Sequence, residues 1–284
     1  MGWGAPGTLD GMSLSHDARL TASRAANSST LEVLARAGFV GYGITHLLVA
    51  WLALQIAFGR SAGASDQGGA LHTITTKPLG AFLVIAIAIG LAAMALWQVL
   101  EAAVGHRADR GTERILERIA SACRAVVYGY LAWTGVKVVT DAKSSSAAQQ
   151  EATSTQLMSS SGGRWLVALA GVVLAGIGIG LVWYGLVKRF EKHLYVNRMS
   201  ASTRTLSRRL GIFGYVAKGV AYGVAGVLLV AAAVTYDPDK ARGLDAALRT
   251  LAGQPYGGFL LTAVALGIAA FGAFCLVQAR YRKV

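Results

Sequence analysis

The most constraining feature of this sequence is a set of six apolar runs, each about 20 residues long. A helix of that length spans ~30 Å, the thickness of the hydrocarbon core of a bilayer. Lipid cannot hydrogen-bond to the backbone, so a single apolar run that crosses it must be helical. The sequence therefore predicts an all-α polytopic membrane protein. The predicted transmembrane helices are Ala37–Phe58, Leu79–Leu100, Ala120–Val139, Trp165–Val187, Ile212–Thr235 and Tyr256–Val277.

The composition agrees with this class, and the third run is the weakest of the six. Only 14% of the residues are charged, whereas soluble domains contain about 25%. Arg124 and Lys137 both lie inside the third run. Long basic side chains near the two ends of a helix can extend to the membrane interfaces. We therefore predict that this run also crosses the membrane.

The distribution of basic residues predicts the orientation. Most of the 27 Lys and Arg residues lie before the first run, between the second and third, between the fourth and fifth, and after the sixth. The positive-inside rule then places both termini in the cytoplasm, which requires an even number of spans. Residues 1–30 are predicted to form a flexible cytoplasmic tail. Because the basic residues are dispersed at helix ends, no nucleic-acid partner is expected.

An internal repeat organises the six runs into three copies of one two-helix hairpin. Shifts of 82 and 176 residues place His46 on Tyr128 and Tyr222, and a shift of 86 places Trp97 on Trp183. Each copy crosses the membrane twice, so all copies have the same orientation, and parallel repeats are related by an axis along the membrane normal. We therefore predict a pseudo-threefold arrangement. The predicted repeats are residues 31–106, 107–193 and 194–284.

Short segments before the returning helices show a second pattern. Ala70–Thr76 and Leu244–Ala252 have the spacing of amphipathic helices lying on the outer membrane surface. In the second of these, Asp245 and Arg249 are expected to point outward. In the middle repeat, Ser144–Ser146 and Ser159–Ser161 have the composition of loops.

The repeat also aligns two layers of candidate functional residues. The first layer is a candidate lipid or anion contact about one turn inside the cytoplasmic boundary, and it consists of Tyr42, Arg124 and Lys218. The second is a candidate axis lining one turn deeper, and it consists of His46, Tyr128 and Tyr222. Ionisable groups inside a membrane indicate function by default. The structural alternatives are that the basic residues extend to lipid head groups, that the histidine is a hydrogen-bonded core residue, and that the tyrosines pack.

Parts of the sequence also resemble a known family. The pattern Leu34–Val40 followed by Gly43, together with Leu248 and Gln254–Gly257, is similar to the bacterial domain-of-unknown-function 1206 family, which is typical of actinobacteria. The resemblance covers about residues 31–283 and implies three tandem two-helix units in the plasma membrane. It departs at Tyr42, where the family usually has a basic residue, and in the degenerate middle repeat. It implies no activity and transfers no site residues.

The sequence offers no sign of catalysis. Only His46 lies inside a predicted span, and the other histidines lack metal-ligand spacing. We therefore expect no catalytic, cofactor-binding or metal-binding residues, and no cofactor. The expected function is a non-enzymatic scaffold or accessory protein that binds lipid, including anionic lipid, or an unidentified membrane protein. The alternative is a small channel or transporter for ions or small anions along the pseudo-threefold axis.

Overall fold

The part of the chain that the structure describes is mostly helical. The computed structural model describes residues 29–59, 65–75, 80–104, 111–140, 146–160 and 162–283, so the predicted tail lies almost wholly outside them. The α-helices are α1 Ser29–Ala57, α2 Gln67–Thr75, α3 Gly80–Val104, α4 Gly111–Thr140, α5 Ser146–Met158, α6 Gly163–Leu186, α7 Ala201–Thr235, α8 Gly243–Ala252 and α9 Gly257–Tyr281. Short 3₁₀ helices lie at Arg189–His193, Val196–Arg198 and Pro238–Ala241.

Five of the long helices have the length and apolarity needed to cross a membrane. They are α1, α3, α6, α7 and α9, and they confirm the prediction of a membrane-spanning protein. The remaining long helix, α4, is not among them, although its 30 residues give a length of roughly 45 Å. Its basic residues make it the weakest of the predicted spans, and the sixth span stays a prediction.

The long helices pack in a definite order. Helix α3 packs against α4 and α1, α9 against α1 and α7, and α7 against α6. Helices α4 and α6, which belong to the middle repeat, have at most marginal contact with each other. The six helices therefore follow the order α4–α3–α1–α9–α7–α6. We call the gap between α4 and α6 the open seam.

Hydrogen bonds join the helix ends at one end of this bundle. Arg36 donates to the carbonyls of Ala279 and Arg280 at 2.7 and 2.8 Å, tying the start of α1 to the end of α9. Arg118 donates to the carbonyl of Ala103 at 2.9 Å, tying the start of α4 to the end of α3. We call this end, where α1 begins and α9 ends, the basic end. The opposite end, which carries α2, α5 and α8, is the far end.

Glycines bring neighbouring helices into backbone contact. A Cβ on Gly178 of α6 would lie 2.6 Å from the carbonyl oxygen of Gly219 on α7. A Cβ on Gly43 of α1 would lie 2.8 Å from the carbonyl oxygen of Gly272 on α9. Small residues are the usual means of close packing between membrane helices. The α6–α7 and α9–α1 pairs therefore depend on the absence of side chains at these positions.

The short helix α8 confirms one prediction and corrects another. A helix forms at Gly243–Ala252 as the amphipathic spacing predicts. The prediction that Asp245 points outward was wrong, because its side chain is fully buried. It accepts hydrogen bonds from the backbone N–H of Ser65 at 2.9 Å and from Arg249 at 3.0 Å. Burial of this carboxylate is tolerated because its oxygens have these partners.

The middle repeat has a short helix that sequence analysis missed. Helix α5, Ser146–Met158, precedes the returning helix α6 just as α2 and α8 precede α3 and α9. Ser159 and Ser160 form the turn that ends it, with the backbone N–H of Ser160 donating to the carbonyl of Leu157 at 3.1 Å. Each of the three repeats therefore has one short helix at the far end.

Candidate functional site

Aromatic and polar side chains from four helices meet in the middle of the bundle. The ring of Tyr42 on α1 lies edge-on to Tyr128 on α4, with centroids 5.3 Å apart, and 4.3 Å from His46. The ring of His46 in turn lies 4.9 Å from Phe271 on α9. All four residues are buried. Together with Lys218 and Tyr222 of α7 we call them the central cluster.

Lys218 is held inside the central cluster by aromatic side chains. Its ammonium group donates a hydrogen bond of 2.7 Å to the hydroxyl of Tyr42. The same nitrogen lies 4.2 Å from the ring centroid of Phe271 and 5.5 Å from that of Tyr222. Cation–π contacts of this kind contribute about 0.5–2 kcal/mol each. The structure therefore brings five of the six predicted site residues together, and Lys218 has partners within the protein.

His46 has one satisfied ring nitrogen and one free one. Its Nδ1 lies 2.9 Å from the carbonyl oxygen of Tyr42, which assigns the proton to Nδ1 in the neutral tautomer. Its Nε2 is buried and has no hydrogen-bond partner among the described residues. These contacts are those of a core histidine. A role for His46, Tyr128 and Tyr222 in lining an axis stays a prediction.

Arg124 does not join the central cluster. Its guanidinium donates to the hydroxyl of Ser121 at 3.0 Å and lies 3.9 Å from the carboxylate of Glu117. Glu117 also forms an ion pair with Lys192, which follows α6, and lies 3.8 Å from His193. These four charged or titratable residues form what we call the basic-end cluster. It joins the start of α4 to the segment after α6, and so bridges the open seam at the basic end.

The charges of the basic-end cluster shift two pKa values. The neighbouring His193 and Lys192 hold the pKa of Glu117 well below its usual range. Burial lowers the pKa of His193, and the nearby Glu117 opposes part of this shift. At neutral pH, Glu117 is therefore ionised. Sequence analysis missed Glu117, although it stands seven residues before Arg124 and hence on the same face of α4.

A cavity of about 480 Å³ lies in the open seam near the far end. Ligand sites in proteins have volumes of roughly 300–1,000 Å³. Residues from α4, α5, α6, α7 and the start of α8 line it. They are Tyr130, Gln149, Gln150, Thr153, Ser154, Leu174, Ala225, Leu229, Ala241 and Gly243. We call it the far-end cavity, and sequence analysis gave no indication of it.

One face of α7 forms the floor of the open seam. Ala225 and Leu229 line the far-end cavity. At 100° per residue, Lys218 and Tyr222 lie on the same face, one to two turns closer to the basic end. Both are half-buried, unlike Tyr42 and His46. The floor is therefore polar and aromatic toward the basic end and aliphatic toward the far end.

Comparison with known proteins agrees with the repeated architecture. The sequence profile of the family described as "Domain of Unknown Function (DUF1206)" matches residues 37–105, 119–188 and 213–282. The chain belongs to this family. One matched segment falls in each predicted repeat, which confirms three copies of one unit.

A relative from Bacillus subtilis matches nearly the whole length of the chain. The uncharacterized protein YxxB of Bacillus subtilis (strain 168) is 30% identical over 253 residues, which cover 88% of this chain and 90% of that protein. No solved structure matches the chain. Neither the family description nor the relative's name states an activity. Among the described residues, no group of three or more His, Cys, Asp or Glu side chains is placed to hold a metal ion.

Proposed function

We propose that this protein is a non-enzymatic scaffold or accessory protein of the plasma membrane that binds a lipid chain in its open seam. The observation that carries the proposal is the lack of close packing between α4 and α6, with a cavity in the space between them. In a bilayer, a lateral gap of this kind opens onto acyl chains. A chain in the seam covers the aliphatic floor on α7, where Ala225 and Leu229 lie.

The packing order supports six spans around a pseudo-threefold axis. The α3–α4, α6–α7 and α9–α1 pairs each join the second helix of one repeat to the first helix of another. The α1–α3 and α7–α9 pairs join the two helices within one repeat. Threefold symmetry then calls for one more pair, α4–α6, and this is the open seam. The central cluster supports the same axis, because it receives Tyr42, Tyr128 and Lys218 from the first helix of each repeat.

The central cluster gives no support to the alternative of a channel. Rings in direct contact fill the middle of the bundle, and Lys218 is bonded to Tyr42 within it. An anionic-lipid contact at Tyr42, Arg124 and Lys218 stays a prediction, since the hydroxyl and both cations already have partners in the protein. A protein partner also stays a prediction.

Reporter fusions test the topology. Fusions of green fluorescent protein and of alkaline phosphatase to Val284 measure the location of the C-terminus, and insertions at Ser159 measure that of the far end. With six spans and cytoplasmic termini, the C-terminal fusion fluoresces and the insertion at Ser159 has phosphatase activity. If α4 does not cross the membrane, the two ends of the chain lie on opposite sides. An active phosphatase at Val284 with a cytoplasmic N-terminus would therefore exclude six spans.

Photolabelling tests lipid binding in the seam. The full-length protein is reconstituted in phosphatidylcholine vesicles that contain a lipid with a diazirine in its acyl chain, and labelled peptides are mapped by mass spectrometry. We expect labels on Leu174, Leu229 and Tyr130, which line the cavity, in excess over labels on Leu169. Leu169 is 59% exposed and lies about 140° around α6 from Leu174, on the face turned away from α7.

A matched pair of variants completes the test. Leu174→Trp fills the cavity, whereas Leu169→Trp makes the same change on the outward face of the same helix. We expect Leu174→Trp alone to reduce labelling of α7 in the seam. Equal labelling of the seam and the outward face in the wild-type protein would overturn the proposal, and this comparison does not depend on how the variants fold.

A further inference from the structure

The polar side chains over the far-end cavity point to the kind of lipid that it holds. We infer that the cavity selects an amphiphile with an uncharged head group that carries several hydroxyls, such as a glycosyl diacylglycerol. This inference rests on the proposed binding of a lipid chain in the open seam. It adds the chemical class of the head group and the side chains that recognise it.

The cavity is divided into an apolar part and a polar part. Leu174, Ala225 and Leu229 form its walls within the bundle, on α6 and α7. Helix α5 contributes two amides and two hydroxyls in one and a half turns, from the side chains of Gln149, Gln150, Thr153 and Ser154. Such a division fits an amphiphile whose chain lies between the long helices and whose head group lies under α5.

The polar part of the cavity matches hydroxyl groups. An amide side chain offers both a donor and an acceptor, and a hydroxyl does the same. Sugar and glycerol hydroxyls also donate and accept, so each can bond to either kind of side chain. Thr153 donates its own proton to the carbonyl of Gln149 at 2.8 Å, which leaves its oxygen free to accept. This combination of groups recognises hydroxyls without needing charge.

The charges around the cavity are already balanced by one another. Arg242 beside it lies 3.7 Å from the carboxylate of Glu151 and 3.5 Å from that of Asp245. Asp245 also pairs with Arg249 at 3.0 Å. A phosphate head group is normally recognised by Arg or Lys side chains that can turn toward it. Here both arginines lie within 4 Å of carboxylates that balance their charge, and the described residues that line the cavity include no Lys or Arg.

A glycine makes room for one of the amides. Gly243, which begins α8, has φ of 60°, a conformation that favours glycine. A Cβ at this position would collide with the side-chain oxygen of Gln150. The bare backbone at the start of α8 therefore allows the Gln150 amide to lie in the cavity. The polar part of the cavity is thus shaped by two elements, α5 and α8.

Head-group competition tests the inference. The full-length protein is reconstituted in phosphatidylcholine vesicles that contain one of three probes with the same diazirine-bearing chains: a glucosyl diacylglycerol, a phosphatidylglycerol or a plain diacylglycerol. The readout is labelling of the seam residues at equal mole fraction. We expect the glucosyl lipid to label the seam roughly two- to tenfold more than the other two, the ratio that one net hydrogen bond gives.

Variants of α5 assign the selectivity to the cavity. Thr153→Val removes a hydroxyl that lines the cavity, and Thr155→Val makes the same change at a position of the same helix that does not line it; both threonines are exposed. Both threonines donate to the carbonyl four residues earlier, so the two changes affect the helix equally. We expect only Thr153→Val to lower the preference for the glucosyl lipid. Gln149→Lys adds a free cation and should shift the preference toward phosphatidylglycerol.

The outcomes separate this inference from the proposal on which it rests. Seam labelling with equal efficiency from all three probes would overturn the head-group inference and leave lipid binding in place. A preference of the wild-type protein for phosphatidylglycerol would overturn it as well. Seam labelling no greater than that of the outward face would overturn both.

Discussion

The contact between α6 and α7 allows the packing of this bundle to be tested with single methyl groups. Gly178 faces α7, and a Cβ placed on it would lie 2.5 Å from the backbone nitrogen of Gly223 and 2.6 Å from the carbonyl oxygen of Gly219. Both obstructing atoms belong to the backbone, so no side chain can rotate away. Gly176 and Gly180 lie on the same helix, and a Cβ at either meets no atom within 4 Å.

The expected effect of Gly178→Ala follows from these distances. Replacing glycine by alanine within a helix stabilises it by about 0.5–1 kcal/mol. Overpacking in a tight interface costs about 1–3 kcal/mol, with contacts to backbone at the upper end. The stabilisation of the helix by alanine is the same in Gly178→Ala and Gly176→Ala. The difference between the two variants therefore isolates the steric cost, and we expect Gly178→Ala to be less stable by about 1–3 kcal/mol.

Unfolding in mixed micelles measures this difference. The purified protein is titrated from dodecyl maltoside into sodium dodecyl sulfate, and the loss of helix is followed by circular dichroism. We expect Gly176→Ala and Gly180→Ala to unfold at or above the wild-type midpoint and Gly178→Ala clearly below it. If the three variants unfold together, α6 does not approach α7 closely through its glycine face.

Two further predictions concern the polar clusters. Tyr42→Phe leaves the ammonium group of Lys218 without its hydroxyl partner and should lower the free energy of unfolding by about 1–3 kcal/mol. Adding Lys218→Met should restore much of this loss, and a double-mutant cycle in the same titration measures it. A fully additive cycle would contradict the bond between them. Glu117→Gln should lower the free energy of unfolding by about 1 kcal/mol, because Lys192 is about one-third exposed and water screens part of the ion pair. Glu113→Gln should have little effect, since Glu113 is more than half exposed. The lowered pKa of Glu117 means that this stabilisation is present at neutral pH and is lost as the pH falls below about 5, so the wild-type protein and Glu117→Gln should converge in acid. A difference between them that does not shrink as the pH falls from about 6 to about 2 would refute this account.

Much of the fold was predictable from the sequence, because lipid leaves few options for the backbone. Apolar runs of the right length gave the long helices, and the repeat shifts gave the equivalence of their residues. That equivalence also anticipated that Tyr42 and Lys218 would meet, although they are 176 residues apart. The side chain of Arg124, the third member of the same layer, lies beside Glu117 instead. Repeat symmetry predicts backbone positions, but a nearby opposite charge decides where a long side chain lies.

The parts that could not be predicted depend on contacts with no local signature. Asp245 is buried because a backbone N–H from Ser65, in another repeat, lies beside it, and a backbone donor leaves no mark in the sequence. Helix α5 has the Gln, Ser and Thr content of a loop, and its placement over the cavity follows from packing. The open seam follows from the failure of two helices to pack, which hydropathy does not record.

The open seam also means that the fold does not depend on an uninterrupted chain between α4 and α5. Helix α4 packs on α3, and α6 packs on α7. The connection between α4 and α5 therefore joins two groups of helices that already contact each other where α9 packs on α1. A chain cut at that connection would leave two fragments, one containing α1 to α4 and the other α5 to α9. Each close pairing of long helices survives the cut, so the fragments, synthesised separately in one cell, should reassociate in the bilayer as a two-chain protein.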